Sequence, residues 1–287
     1  MNSVIEAVTA RIIERSAKTR QPYLAAMKRT MEEQPPKKRL SCGNLAHAYA
    51  ACSTEDKNTI RLMQSANLSI TTAYNDMLSA HQPYETYPNI IKEAARAMGS
   101  TAQIAGGVPA MCDGVTQGLA GMELSLFSRE VVAMSAAVGL SHNMFDGNMF
   151  LGVCDKIVPG LVVAAATFGH LPAVFVPAGP MSSGIPNKEK AKVRQQFAAG
   201  DVGEERLLEV ESKSYHSPGT CTFYGTANSN QMLVEMLGVQ LPGSSFVPPN
   251  DALRDALTRA AVERLILSTD AAGTYTPAYE VLTEKSF

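Results

Sequence analysis

Charge is scarce in this chain: only 18% of its 287 residues are Asp, Glu, Lys or Arg, and the formal net charge is -2. Neither sign dominates, so composition gives no electrostatic reason to expect nucleic acid or a membrane surface as a partner. No apolar run approaches membrane-spanning length. The amino end alternates charged and apolar residues and lacks a signal-peptide core, which leads to the expectation of a cytoplasmic protein. Internal repeats at solenoid periods and low-complexity tracts are absent as well. The five cysteines are odd in number and irregularly spaced. In a reducing compartment such thiols read as metal ligands or small buried hydrophobes rather than as a disulfide framework.

What remains is apolar material, 45% of the chain, sufficient for one large α/β domain or a domain with a helical arm. Residues 2–33 have helical periodicity, with Val4, Val8, Ile12 and Ile13 on one stripe and Arg11, Glu14, Arg15 and Lys18 opposite. Pro22 marks a break or a restart of that helix. Residues 34–39 (Gln-Pro-Pro-Lys-Lys-Arg) read as a solvated linker, and helical pieces follow at 44–51 and 55–64, the second after the cap candidates Ser53 and Thr54. Residues 1–66 are therefore expected to form a helical arm and 67–287 an α/β domain. Strands are predicted at 68–73, 102–105, 149–153 and 173–176, alternating with helices at 85–98, 128–140, 161–168 and 188–199. That order calls for a parallel sheet with helices on both faces, a three-layer α/β fold.

Each predicted strand ends in a polar or glycine-rich turn, and in parallel α/β sheets ligands bind at those ends. The third turn concentrates chemistry most densely. Gly152-Val153-Cys154-Asp155-Lys156-Ile157-Val158-Pro159-Gly160 delivers a thiol, a carboxylate and an amine in succession, groups costly to bury without partners. The turn after the second strand holds Cys112 and Asp113, and Cys221 precedes an apparent helix at 227–237, where the dipole favours a thiolate. Residues 179–184 (Gly-Pro-Met-Ser-Ser-Gly) lack the Walker lysine and the dinucleotide spacing, which argues against a nucleotide site.

The 152–160 run, Cys-Asp-Gly-Val-Thr-Gln-Gly at 112–118, Leu-Phe-Ser-Arg-Glu-Val-Val-Ala at 126–133 and Gly-Thr-Cys-Thr-Phe-Tyr-Gly-Thr-Ala-Asn at 219–228 together resemble the iron–sulfur dehydratase family. That family includes dihydroxy-acid, sugar-acid and 6-phosphogluconate dehydratases. Tyr-Asn-Asp-Met-Leu-Ser-Ala-His-Gln-Pro-Tyr at 74–84 and Pro-Asn-Lys-Glu-Lys at 186–190 are most similar to its 6-phosphogluconate branch. The resemblance runs from about Ile12 onward and corresponds to the amino-terminal half of family members, without their carboxyl-terminal domain.

The resemblance implies dehydration of 6-phospho-D-gluconate to 2-dehydro-3-deoxy-6-phospho-D-gluconate in the Entner–Doudoroff pathway, with another sugar acid or dihydroxy acid as the alternative substrate. A non-catalytic sugar-phosphate-binding chain is the alternative of a different class. Cys154 and Cys221 fall on cluster-ligand positions, and Asp113 and Asp155 on ligands of Mg²⁺ (or Mn²⁺). Lys156 matches a lysine that some members carbamylate into an oxygen ligand. Members with a [2Fe–2S] cluster carry a cysteine where this chain has Ala80. That departure implies a [4Fe–4S] cluster, leaves the third ligand open and makes Cys112 a candidate for it. The family's general base, a serine of the carboxyl-terminal domain, has no counterpart here, and members are homodimers. His81 is either a site residue or a turn histidine. For the substrate phosphate the candidates are Ser182, Ser183, Lys188, Lys190 and Arg194; the three basic residues otherwise read as a solvated helix face.

Overall fold

The computed structural model describes residues 2–33, 35–125, 127–221 and 226–287. Gln34 of the expected linker, Leu126 of the 126–133 motif and residues 222–225 of the 219–228 motif lie outside the described residues. In chain order the helices and strands are α1 Ser3–Glu33, α2 Cys42–Tyr49, α3 Thr54–Leu62, β1 Asn67–Thr72, α4 Tyr87–Ala97, β2 Thr101–Gly107, α5 Asp113–Thr116, α6 Ser128–Leu140, β3 Gly147–Leu151, α7 Ile157–Thr167, β4 Ala173–Val176, α8 Asn187–Ala199, α9 Glu204–Ser214, α10 Ala227–Met236, α11 Ala252–Leu267 and α12 Ala278–Val281.

The four strands form one all-parallel sheet in the order β2-β1-β3-β4. Helices α4 and α11 pack together on one face and α6 and α7 on the other, the three-layer arrangement expected from the alternation of elements. Between β1 and β3 the winding reverses direction. This switch opens a crevice at the carboxyl ends of the two central strands. Burial on both faces explains why β1 and β3 are covered along their whole length. Leu68, Ile70, Met149, Phe150 and Leu151 have no exposure, and the Phe150 and Phe175 rings lie 5.1 Å apart. Several polar residues of the sheet pair with one another, although Thr71 Oγ1 and Asn148 Nδ2 have no partner among the described residues. The Asn67 amide donates to Gln103 Oε1 (2.8 Å), Thr101 donates to Asn67 Oδ1 (2.9 Å), and Ser69 donates to Asn148 Oδ1 (2.9 Å).

The segment before the sheet differs from the sequence reading in two places. Pro22 does not interrupt α1, although it removes the helical partner of the Lys18 carbonyl; both residues are exposed, where water competes for such a group. Nor does the apolar stripe of α1 enter the core, since Val4, Val8 and Ile13 are exposed. Polar contacts tether the helix instead. Arg20 donates to the Tyr279 and Leu282 carbonyls (2.9 and 3.0 Å), and the Tyr23 hydroxyl donates to the Ala166 carbonyl (2.8 Å).

The second difference lies at the expected linker, which is a 3₁₀ turn over Pro36–Arg39. Lys37 there is only 3% exposed. Its ammonium donates to the Ser65 carbonyl (2.9 Å) and pairs with Asp146, whose Oδ2 also accepts from the Asn67 backbone N–H (2.7 Å). A half-buried carboxylate at the start of the sheet therefore draws the lysine out of water. Among the described residues no helix is long and apolar enough to cross a membrane.

Candidate active site

Three chain segments bring the sulfur and oxygen donors together. After β2 the chain reaches Cys112 and Asp113, which start the short α5. After β3 it turns through Gly152 and Val153 to Cys154, Asp155 and Lys156, just before α7. Gly152 is required there because a Cβ would strike the Ile157 and Leu161 side chains, which pack onto the strand end. The third segment runs beside the end of β4. Thr220 bridges Pro180 in parallel, donating from its N–H to the Gly179 carbonyl (2.9 Å) and accepting from the Met181 N–H (2.9 Å), and Cys221 follows. Cys112, Asp113, Cys154, Asp155 and Cys221 all line one cavity of about 370 Å³. A cavity of similar size beside β4 and α11 carries Glu235 and Arg264 but no thiol.

Cys154 is held in an unusual conformation. Its φ of 74° lies in the left-handed region, which a side-chain-bearing residue occupies at a cost of roughly 1–2 kcal/mol. That strain keeps a thiol where the backbone alone would favour glycine. Cys154 is 9% exposed. Burial pushes its thiol well above the ordinary cysteine range, with the Cys112, Cys221 and Asp155 charges adding to the shift and Lys156 opposing it. Cys112 and Cys221, from distant parts of the sequence, thus lie near Cys154.

Beside them the Lys156 ammonium, 4% exposed, sits between two carboxylates. It pairs with Asp113 and donates to Asp155 at 2.9 Å, while Ser125 Oγ donates to the other oxygen of Asp113 at 2.8 Å. Burial pulls the lysine's pKa down, but the hydrogen bonds and charges of Asp113 and Asp155 more than offset it, so the net shift is upward.

The donor set places soft sulfur beside hard oxygen around one cavity. A single ion needs several donors within about 2.0–2.3 Å of one centre. Among the described residues no group of three His, Cys, Asp or Glu side chains is so placed. An iron–sulfur cluster distributes its thiolates over separate iron atoms, and Cys112, Cys154 and Cys221 around one cavity fit that demand. The carboxylates of Asp113 and Asp155 suit a hard divalent cation. Lys156 is the cation they now hold.

The remaining residues singled out in the sequence lie off this cavity. His81 is completely buried, its ring centroid 6.4 Å from that of Tyr84, and neither ring nitrogen has a hydrogen-bond partner of normal geometry. Burial pushes its pKa down to about 4, the Ala73 carbonyl giving only a weak opposing pull. Ser182 contacts His216 Nε2 (3.0 Å), and Ser183 and Lys188 are exposed. Lys190 is buried over the Tyr215 ring at 5.0 Å, and Arg194 is paired with Glu211. The basic residues of α8 therefore do not converge on the thiols. Sequence reading passed over Asn228 and Gln231, buried polar residues of α10 that bind the Thr220–Cys221 segment and Gly179. Their signals are that Asn228 closes the 219–228 motif and that Gln231 lies three residues on in the same helix.

The family profile described as dihydroxy-acid/6-phosphogluconate dehydratase N-terminal matches residues 65–287. The chain is 62% identical over 285 residues to a phosphogluconate dehydratase of Rhizobium meliloti (strain 1021), covering 99% of this chain and 47% of that protein. It is 61% identical over 285 residues to one of Escherichia coli (strain K12), again 99% of this chain and 47% of the relative. A dihydroxy-acid dehydratase of Carboxydothermus hydrogenoformans is more distant, 33% identical over 211 residues, which is 69% of this chain and 37% of the relative. The chain spans about half the length of the phosphogluconate dehydratases it matches.

Proposed function

Because the chain belongs to the dihydroxy-acid/6-phosphogluconate dehydratase family, we propose that it supplies the cluster- and metal-binding part of a hydro-lyase converting 6-phospho-D-gluconate to 2-dehydro-3-deoxy-6-phospho-D-gluconate. The observation that carries this reading is the convergence of three thiols and two carboxylates on one cavity at the carboxyl ends of parallel strands. Removing water across C2 and C3 requires hydroxide to leave while a weakly acidic C–H proton is taken. When bound, a [4Fe–4S] cluster and Mg²⁺ supply Lewis acidity to the leaving hydroxyl and charge stabilisation to the carboxylate end of the substrate.

The chain's own residues do the holding and orienting. Cys112, Cys154 and Cys221 would hold the cluster, three ligands for four irons, and Asp113 and Asp155 the divalent cation. Lys156, as an ammonium, keeps the two carboxylates together and holds a proton beside them. Carbamylation, as in some family members, would turn it into a third oxygen donor. For the terminal phosphate we propose Ser182, Ser183 and Lys188, because Lys190 and Arg194 are already engaged. A homodimer accords with an apolar stripe on the outer face of α6: Phe127, Val131, Met134 and Val138 are each 49–70% exposed. Val115, Leu119 and Leu124, in the segment that leads into α6, are exposed as well, and we propose a second copy of the chain as the occupant of the α6 stripe. Sedimentation of Met134→Lys/Val138→Glu tests it: a shift from dimer to monomer is expected, and a monomeric wild type would end that part of the proposal.

The activity test follows 2-keto acid formation from 6-phosphogluconate under anaerobic conditions after iron and sulfide loading. It is run on the chain alone and with the carboxyl-terminal half of the Rhizobium relative supplied in trans. Product that disappears in Cys154→Ser is expected in at least one arm. A loaded chain that gives no product in either arm, or gives product only from a dihydroxy acid, would refute the substrate assignment.

A further inference from the structure

Cys221 differs from Cys154 in how it is held. No backbone strain fixes it, and no strand delivers it directly. What fixes it is a chain of hydrogen bonds that runs from Gly179 through α10 to the Cys221 carbonyl. The Gly179 backbone N–H donates to Gln231 Oε1 (3.3 Å). Gln231 Nε2 lies 3.5 Å from Thr220 Oγ1 as its donor, and Thr220 Oγ1 donates to Asn228 Oδ1 (2.7 Å). Asn228 Nδ2 in turn donates to the Cys221 carbonyl (2.8 Å). Thr220 has no exposure, and Asn228 and Gln231 have 1% each. In such a buried network each bond polarises the next and an unpaired member is expensive. The segment is also tied to the loop after β1, since the Gly219 N–H donates to the Ser79 carbonyl (2.7 Å). It is thereby referenced both to the end of β1 and to the end of β4.

We propose that Asn228 is the positioning residue for Cys221, fixing the main chain there so that its thiol faces Cys112 and Cys154. The Asn228 amide nitrogen meets the cavity-lining Cys221 at its main-chain carbonyl, so its effect is on where the sulfur sits. Only an amide can serve both sides in this geometry, because its oxygen takes the threonine hydroxyl while its nitrogen donates to the cysteine carbonyl. An aspartate keeps the first contact and sets oxygen against oxygen in the second. A leucine keeps the volume and loses both.

The inference rests on Cys221 being a cluster ligand, and the test separates the two claims. The first readout needs no cluster: the iodoacetamide alkylation rate of Cys221 in the reduced, metal-free chain, mapped by mass spectrometry, with the exposed Cys42 as internal reference. Asn228→Leu and Asn228→Asp are expected to raise the Cys221 rate roughly fivefold or more, the equivalent of losing one buried hydrogen bond, and to leave Cys42 unchanged. The second readout is iron loss from the anaerobically loaded chain, expected to quicken several-fold with a changed visible spectrum. Wild-type alkylation and wild-type iron retention in both variants would overturn the positioning role. Full iron retention in Cys221→Ser would instead reject the ligand assignment, whatever the Asn228 variants do. If Asn228→Leu fails to fold, Asn228→Asp, nearly identical in shape, carries both readouts.

Discussion

His81 shows how far a single residue can differ from its appearance in a motif. It sits in a polar turn after the first strand, yet the turn folds inward and the imidazole is sealed beside Tyr84. With a folded pKa near 4 against an ordinary value of 6.5, the unfolded chain binds the extra proton between those values. Stability from this group is therefore complete above pH 6.5 and is lost as pH falls toward 4. The expected loss at pH 5 relative to pH 7.5 is roughly 2 kcal/mol. His170, also pushed down to about 4 by burial, adds to it in the same direction. Urea unfolding at the two pH values checks this, and His81→Phe should flatten the difference by His81's share; an unchanged slope would mean that the ring is already protonated or exposed. Cys154 is the opposite case. Its place on the cavity was legible from its Asp-Lys neighbours, whereas its left-handed backbone was not, because nothing in a one-residue pattern reports φ.

Elements were legible where period and turn chemistry agree. The helix over 128–140 coincides with α6, and the four strands fall within a few residues of their predicted positions. Helices α9 and α11 were passed over although α11 opens with a readable cap, Asp251 accepting from the Leu253 N–H at 2.8 Å. The supposed linker at 34–39 misled because three successive cations look solvated, and only tertiary structure reveals the carboxylate awaiting Lys37. Lys37→Met leaves the half-buried Asp146 without its counter-ion and should cost about 3–5 kcal/mol in chemical denaturation; a change below about 1 kcal/mol would show that water already screens the pair. Gly160 makes a separate prediction. It lets α7 approach α6 so closely that a Cβ would lie 2.7 Å from the Arg129 carbonyl oxygen and from a Val132 methyl. Gly160→Ala is expected to destabilise by about 1–3 kcal/mol, readable as a lowered thermal midpoint. An unaltered midpoint would mean that the two helices can part without loss.

At the scale of the whole molecule, sheet order decides what meets what. Residues 112, 154 and 221 are remote in sequence, and no spacing rule joins them. The order β2-β1-β3-β4, with its reversal between β1 and β3, brings their loops to one rim. The resemblance put Cys154 and Cys221 on cluster-ligand positions and left the third open, and Cys112 is the thiol that the fold brings to the same cavity. The proposed phosphate site was the least legible part, because lysines and an arginine on a helix face look alike whether they await an anion or already have partners. The most direct measurement is iron and acid-labile sulfide per chain after anaerobic loading, in the wild type and in Cys112→Ser, Cys154→Ser and Cys221→Ser. The wild type is expected to carry cluster-level iron and matching sulfide, with both lost or sharply reduced in each variant. Full iron and sulfide retained after all three thiols are replaced together would contradict the thiol-bound cluster outright.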